Sequence, residues 1–75
     1  MNHKVVVVQM MTGKTVDIEI PVDISAANLI SALYEALKLP EECQDFIRCE
    51  NPIAMLHGDV PVSHFGIRDG SVLYI

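Results

Sequence analysis

Lys4-Val5-Val6-Val7-Val8-Gln9-Met10-Met11-Thr12-Gly13-Lys14-Thr15-Val16-Asp17-Ile18-Glu19-Ile20-Pro21 opens the chain and decides its fold. The four consecutive valines favour extended backbone, because branching at Cβ restricts χ1 and suits a pleated surface. Lys4 to Met11 therefore reads as a strand. Thr12-Gly13-Lys14 supplies turn chemistry, with Gly13 free to take positive φ. Thr15 to Ile20 then alternates: Val16, Ile18 and Ile20 face one way, Asp17 and Glu19 the other, as in a half-buried strand. Two strands joined by a glycine-containing turn predict a hairpin.

Pro21 removes a ladder donor and ends the second strand. Ser25 is placed to cap a helix, its hydroxyl accepting from a free amide in the first turn. Ala26 to Leu39 has helical periodicity. Leu29, Leu33 and Leu37 repeat every four residues, and Ala26, Ile30 and Ala36 widen the stripe. Pro40 stops this helix and opens a short turn through Glu41 and Glu42, where carboxylates complement a helix dipole. Phe46 to Glu50 reads as a third strand, broken by Asn51-Pro52. Ile53 to Leu56 reads as a short fourth strand, followed by a His57-Gly58-Asp59 turn. Val62 to Ile67 is a compact connection anchored by Phe65 and Ile67. Asp69-Gly70 is a turn signal, and Ser71 to Ile75 is the last strand. The order β-β-α-β-β-β predicts an α+β domain of two layers, a mixed sheet packed on one helix. One domain spans 1–75.

The alternation also sorts the faces. Gln9 needs water, so Val6, Val8 and Met10 take the inward parity. Val5, Val7 and Met11 then face outward, more exposed apolar side chains than solubility requires. Phe46 and Arg48 share a parity on the third strand and add an aromatic and a cation, a pairing typical of binding hot spots. These five residues form a candidate protein-binding surface. The competing reading buries Phe46 in the core and covers Val5 with neighbouring strands.

At 75 residues folding buries only about 60% of the surface of the unfolded chain, so the core must be efficient. Apolar residues are 51% of the chain, and with two Tyr, two Phe and no Trp the core must be aliphatic. Ten acids against five bases give a net charge of −5, which repels phosphate backbones and argues against nucleic acid and anionic membrane surfaces. Val5 to Val8 is too short for a signal-peptide core, and no apolar run reaches the roughly 20 residues of a membrane span. Direct membrane insertion is not expected, and the expected compartment is the cytoplasm.

Little in the chain suggests catalysis. Cys43 and Cys49 are too few for a disulfide scaffold. A cysteine nucleophile needs a base within reach and a lowered pKa, yet Cys49 sits mid-strand among apolar residues and Cys43 follows two glutamates. His3, His57 and His64 lack ligand spacing. The four glycines are single and dispersed, so no phosphate-cradling loop exists. The expectation is a non-enzyme with no catalytic residue, no cofactor and no metal.

Thr12-Gly13-Lys14-Thr15 with the following alternation resembles the first hairpin of ubiquitin. Val62-Ser63-His64-Phe65-Gly66-Ile67 resembles the ubiquitin segment between the fourth and fifth strands, and Ser71 to Ile75 fits its last strand. The resemblance implies a ubiquitin-like β-grasp. A nearer resemblance is to the YukD/EsaB family, ubiquitin-like proteins encoded with the type VII secretion machinery of Gram-positive bacteria. Ile47-Arg48, Asn51, Gly58, the Val62 to Ile67 segment, Asp69-Gly70 and Leu73 to Ile75 carry it, without gaps from Ile47 to Gly70. His64 stands where that pattern has an acid. The resemblance implies a cytosolic accessory or regulatory module that binds secretion-machinery proteins non-covalently, with a monomer as the simplest state. Modifiers and sulfur carriers of this fold need a pliable Gly-Gly extension to thread an activating enzyme, whereas Leu73-Tyr74-Ile75 belongs to the sheet, so conjugation enzymes are not expected partners. Two alternatives stand beside this reading. The chain could be an excised cytosolic domain of a larger membrane component of such a system, or a modifier or sulfur carrier truncated before its Gly-Gly tail.

Overall fold

The computed structural model describes residues 2–39 and 44–75. The expected turn through Pro40, Glu41 and Glu42, and the Cys43 thiol, lie outside the described residues. Two strands, β1 (His3–Gln9) and β2 (Thr15–Pro21), precede the helix α1 (Ala26–Ala36). After it come β3 (Phe46–Glu50), β4 (Ala54–His57), a 3-10 turn (Val62–Phe65) and β5 (Val72–Tyr74). The sheet order is β2-β1-β5-β3-β4. β1 and β5 run parallel at its centre and the other pairs are antiparallel. This is the mixed sheet on one helix that the sequence predicts.

The hairpin closes earlier than the sequence reading has it. Met10 N–H donates to Lys14 C=O and Gly13 N–H to Met10 C=O, with Gly13 at φ 90°. Met10 and Met11 therefore belong to the turn, and the strand stops at Gln9. The fourth strand is shifted by one residue, leaving Ile53 outside it and 89% exposed. Asn51 at φ 60° and a cis Asn51-Pro52 bond form the corner between β3 and β4.

α1 begins as expected. Ser25 Oγ accepts from Asn28 N–H at 3.1 Å. Two further orphan amides, of Ala26 and Ala27, donate to the carbonyls of Val60 and Gly58, so a distant loop completes the cap. The helix ends three residues before Leu39. Lys38 adopts left-handed φ 53°, its N–H donates to Glu35 C=O, and Leu39 N–H donates to Tyr34 C=O. That pair of bonds is a Schellman motif, and it reverses the chain before Pro40 is reached. Ala26, Leu29, Ile30 and Leu33 are buried, Leu37 is half-buried, and Ala36 is exposed and lies off the apolar stripe.

The inner face of the sheet meets this stripe. Val6, Val8, Ile20, Ile47, Cys49, Leu56 and Leu73 are all almost fully buried, together with Val62 and Ile67 from the connection. Phe65 packs at the margin of the same core. Burial of an aliphatic side chain contributes about 1.5–3 kcal/mol each, which is how a short chain without Trp holds together. Ser71 is the buried polar residue among those described. Its hydroxyl donates to Asn51 C=O at 2.6 Å and accepts from Arg68 N–H at 3.0 Å, so its burial is compensated.

Candidate protein-binding surface

The face of the sheet opposite α1 carries the side chains left over by the inward parity. Strand pairing arranges them in rows. One row runs Asp17, Val7, Val72, Glu50 and the next runs Thr15, Gln9, Tyr74, Arg48, Met55. Val5 sits beside Glu19 at one end of the face, and Phe46 beside His57 at the other. Val5, Phe46 and Met55 are 45%, 45% and 46% exposed, while Val7, Val72 and Tyr74 are half-buried by their neighbours. Val5 is neither covered nor is Phe46 in the core, so the competing reading of these two residues does not hold.

β5 starts too late to pair with the first half of β1. Asp69 fills the gap, its Oδ1 accepting from Val5 N–H at 2.8 Å, while Gly70 N–H donates to Val5 C=O and Val7 N–H to Ser71 C=O. Val5 is thereby held in the sheet although no strand flanks it on that side. At the other end Ile75 N–H donates to Gln9 C=O at 3.0 Å, so the ladder continues beyond Tyr74.

Arg48 and Tyr74 form the centre of the lower row. The guanidinium carbon lies 4.8 Å from the centroid of the Tyr74 ring, a cation–π contact worth about 0.5–1 kcal/mol at an exposed site. The Tyr74 phenol is held above its ordinary pKa. Desolvation is the main cause, followed by the hydrogen bond to the Glu50 carboxylate and its charge, with Arg48 opposing. The phenol thus stays a donor to Glu50, and three residues of β3 and β5 fix one another's rotamers.

Below this row the sheet gives way to a groove of about 800 Å³. Met10 and Met11 reach it from the hairpin turn, Tyr34 and Leu39 from the two sides of the Schellman motif, and Phe46 and Met55 from β3 and β4. Arg48 contributes to its lining, and among the described residues no Asp or Glu does. The five candidate residues of the sequence therefore divide. Met11, Phe46 and Arg48 come together at the groove, whereas Val5 and Val7 lie higher on the same face. Met11 is 88% exposed because it belongs to the turn and not to the strand. Tyr74, Val72, Met55 and Glu50 belong to the surface and were missed. The signal for Tyr74 was its alternation with Leu73, hidden in a run that reads as continuously apolar.

The residues considered for chemistry are disposed otherwise. Cys49 is fully buried, and its Sγ–H donates to Pro52 C=O at 3.2 Å. Burial pushes its pKa up, against a smaller opposing hydrogen bond from the Ala54 backbone, the reverse of what a nucleophile needs. His57 and His64 both stand edge-on to Phe65, with ring centroids 6.0 and 6.3 Å away, a packing role. Among the described residues no three or more His, Cys, Asp or Glu side chains converge as metal ligands would. No described helix is long and apolar enough to cross a membrane.

The sequence model of the family described as "WXG100 protein secretion system (Wss), protein YukD" matches residues 4–75. The chain belongs to the YukD family. It is thus a ubiquitin-like protein associated with the WXG100, or type VII, secretion system. Solved structures agree on the fold. A de novo designed protein based on ubiquitin superposes with a TM-score of 0.69 at 16% identity, over 96% of this chain and 84% of that one. A structure described as "Molecular Mimicry of SUMO promotes DNA repair" gives 0.70 at 18% identity, over 96% and 88%. No curated protein matches the chain by sequence.

Proposed function

We propose that this YukD-family chain is a cytoplasmic accessory module of the secretion system that acts by non-covalent binding of machinery proteins, as a monomer and without catalysis. The observation that carries the reading is the sheet face opposite α1. Val5, Phe46 and Met55 remain about half exposed there, beside a groove to which Met11 and Arg48 contribute. Met11, Phe46 and Met55 gather at that groove, and apolar surface brought together in this way is costly to leave in water and marks an interaction site. A further observation favours binding over chemistry. The Cys49 thiol is sealed in the core with its pKa raised.

The test is export of WXG100-type substrates by a host whose own copy carries Phe46→Asp and Met55→Asp. Export is expected to fall while the amount of folded chain is unchanged, and co-purification with machinery components is expected to fall with it. Undiminished export and co-purification would rule out this face. In denaturing gels of the same host the chain should run only as the free protein, and a ladder of larger covalent adducts would contradict non-covalent action.

A further inference from the structure

The sheet ends in two edge strands, β2 and β4, and the two are finished differently. β4 is four residues long and has the Val62–Phe65 turn packed against it. β2 runs for seven residues, Thr15–Pro21, and its hydrogen-bond parity is fixed from both ends. Met10 N–H donates to Lys14 C=O at 2.8 Å, and Val22 N–H to Asn2 C=O at 3.0 Å. The register between these bonds is unbroken, so Val16, Ile18 and Ile20 turn their backbone groups toward β1. Thr15, Asp17 and Glu19 turn theirs outward. Among the described residues nothing bonds to those outward amides and carbonyls. Pro21, the next outward position, has no amide and closes the edge. A row of unpaired backbone groups of this kind is a template for another strand.

The side chains of β2 specify which strand. Val16 and Ile18 lie on the helix side yet are half-buried, while Val6 and Val8, one strand further in, are fully buried. α1 lies nearest β3 and β4, so the apolar cover thins at the β2 margin. On the opposite side of the strand Asp17 and Glu19 are exposed, and neither forms an ion pair with a described residue. These charges disfavour a dimer built edge to edge. Two-fold pairing that engages all three outward amides sets Asp17 against Asp17 or Glu19 of the second copy, and directly opposed like charges destabilise a sheet.

We propose that the β2 edge takes an extended segment of a partner protein as a sixth strand, with basic side chains at alternate positions beside Asp17 and Glu19 and apolar ones between them beside Val16 and Ile18. The inference rests on the binding-module reading above and adds a docking edge separate from the groove, with the composition of the segment that docks there. Main-chain hydrogen bonds to Thr15, Asp17 and Glu19 give affinity, and the alternation gives selectivity. Opposite charges across the new strand pair favour the complex by the same rule that opposes self-pairing.

The experiment is selection of peptides from a random library displayed on phage, with the intact chain as bait, followed by amide hydrogen exchange of the complexes. Selected peptides are expected to alternate Lys or Arg with apolar residues. In the complex the amides of Thr15, Asp17 and Glu19 should exchange at least about tenfold more slowly, an effect that charge attraction without strand pairing would not produce. A double variant, Asp17→Lys with Glu19→Lys, should weaken binding at least about tenfold, and peptides with Glu in place of their basic residues should bind it. Both substitutions are at exposed positions, and circular dichroism melts check that the fold is kept. Selected peptides that lack basic residues, that leave the three amides unprotected, or that ignore the charge exchange would overturn the edge assignment. So would an empty selection, or protection of the same amides by self-association of the free chain. In these cases co-purification with machinery components that survives the double lysine variant and is lost with Phe46→Asp and Met55→Asp would leave the binding-module reading standing. Co-purification that neither pair of substitutions affects would remove both.

Discussion

Both faces of this sheet carry large apolar side chains at alternate positions of β1 and β3, yet one is a core and the other a candidate interface. Val6 and Val8 are fully buried while Val5 is 45% exposed. On β3, Ile47 and Cys49 are buried while Phe46 and Arg48 face solvent. What separates them is a single helix, α1, which covers one face and leaves the other open. Exposure of apolar groups on the open side is a standing cost in solubility, and a second layer supplied by a partner would remove it. The difference teaches that hydrophobicity along this chain does not mark the core by itself; the layer above each face does.

The comparison breaks most sharply in the core. Leu33→Ala, on the buried side of α1, is expected to cost about 2–5 kcal/mol through lost burial and a residual cavity, read from urea denaturation. A loss under 1 kcal/mol, roughly the scale of a surface change, would mean that α1 does not seal the inner face. The same face has a pH signature at Cys49. Its thiol keeps its proton in the folded state above the ordinary value of 9.0, while the unfolded chain ionises near that value. Its contribution to stability is therefore full below about pH 9 and is lost as pH rises through the raised native pKa, with a slope of up to about 1.4 kcal/mol per pH unit. Denaturation curves across this range should fall less steeply for Cys49→Val than for the native chain.

A third substitution touches neither face and serves as the reference between them. Lys38 holds a left-handed conformation at the position where helices usually place glycine. Lys38→Gly should raise stability by about 1 kcal/mol, seen as a higher urea midpoint, without altering binding at the upper sheet face. The smallest effect is expected on the open face itself. Val7 lies directly across from Asp17, so Val7→Asp opposes two like charges and Val7→Lys creates an attractive pair. The two variants should differ in stability by about 0.5–1 kcal/mol, with both folded. Unfolding by either one would show that Val7 points inward.

Legibility varied along the chain with how local the deciding interaction is. The hairpin, the third strand and the Ser25 cap could be read directly, because alternation, turn residues and a side chain bonding three residues ahead are all short-range. The helix end was misplaced because it depends on Lys38 taking positive φ, which no sequence rule favours for lysine. The fourth strand was misplaced by one residue because its start depends on the corner at Asn51 and Pro52. The candidate surface was half legible: the parity of Val5, Val7, Phe46 and Arg48 followed from alternation, while Tyr74, Val72 and Met55 waited on knowing which strands are neighbours.

By itself the sequence determined the element order, the inward placing of Val6 and Val8 on β1, Ile20 on β2 and Ala26, Leu29, Ile30 and Leu33 on α1, and the turns at Gly13 and Gly70, since backbone stereochemistry and periodicity are properties of adjacent residues. Only the tertiary structure decided that Arg48 lies over Tyr74, that Asp69 holds Val5 in the sheet, and that Met11 shares a groove with Phe46 and Leu39. Those juxtapositions depend on the register between strands distant in sequence. That register is fixed by the packing of the whole inner face onto α1, a collective fit that no single stretch of the chain contains.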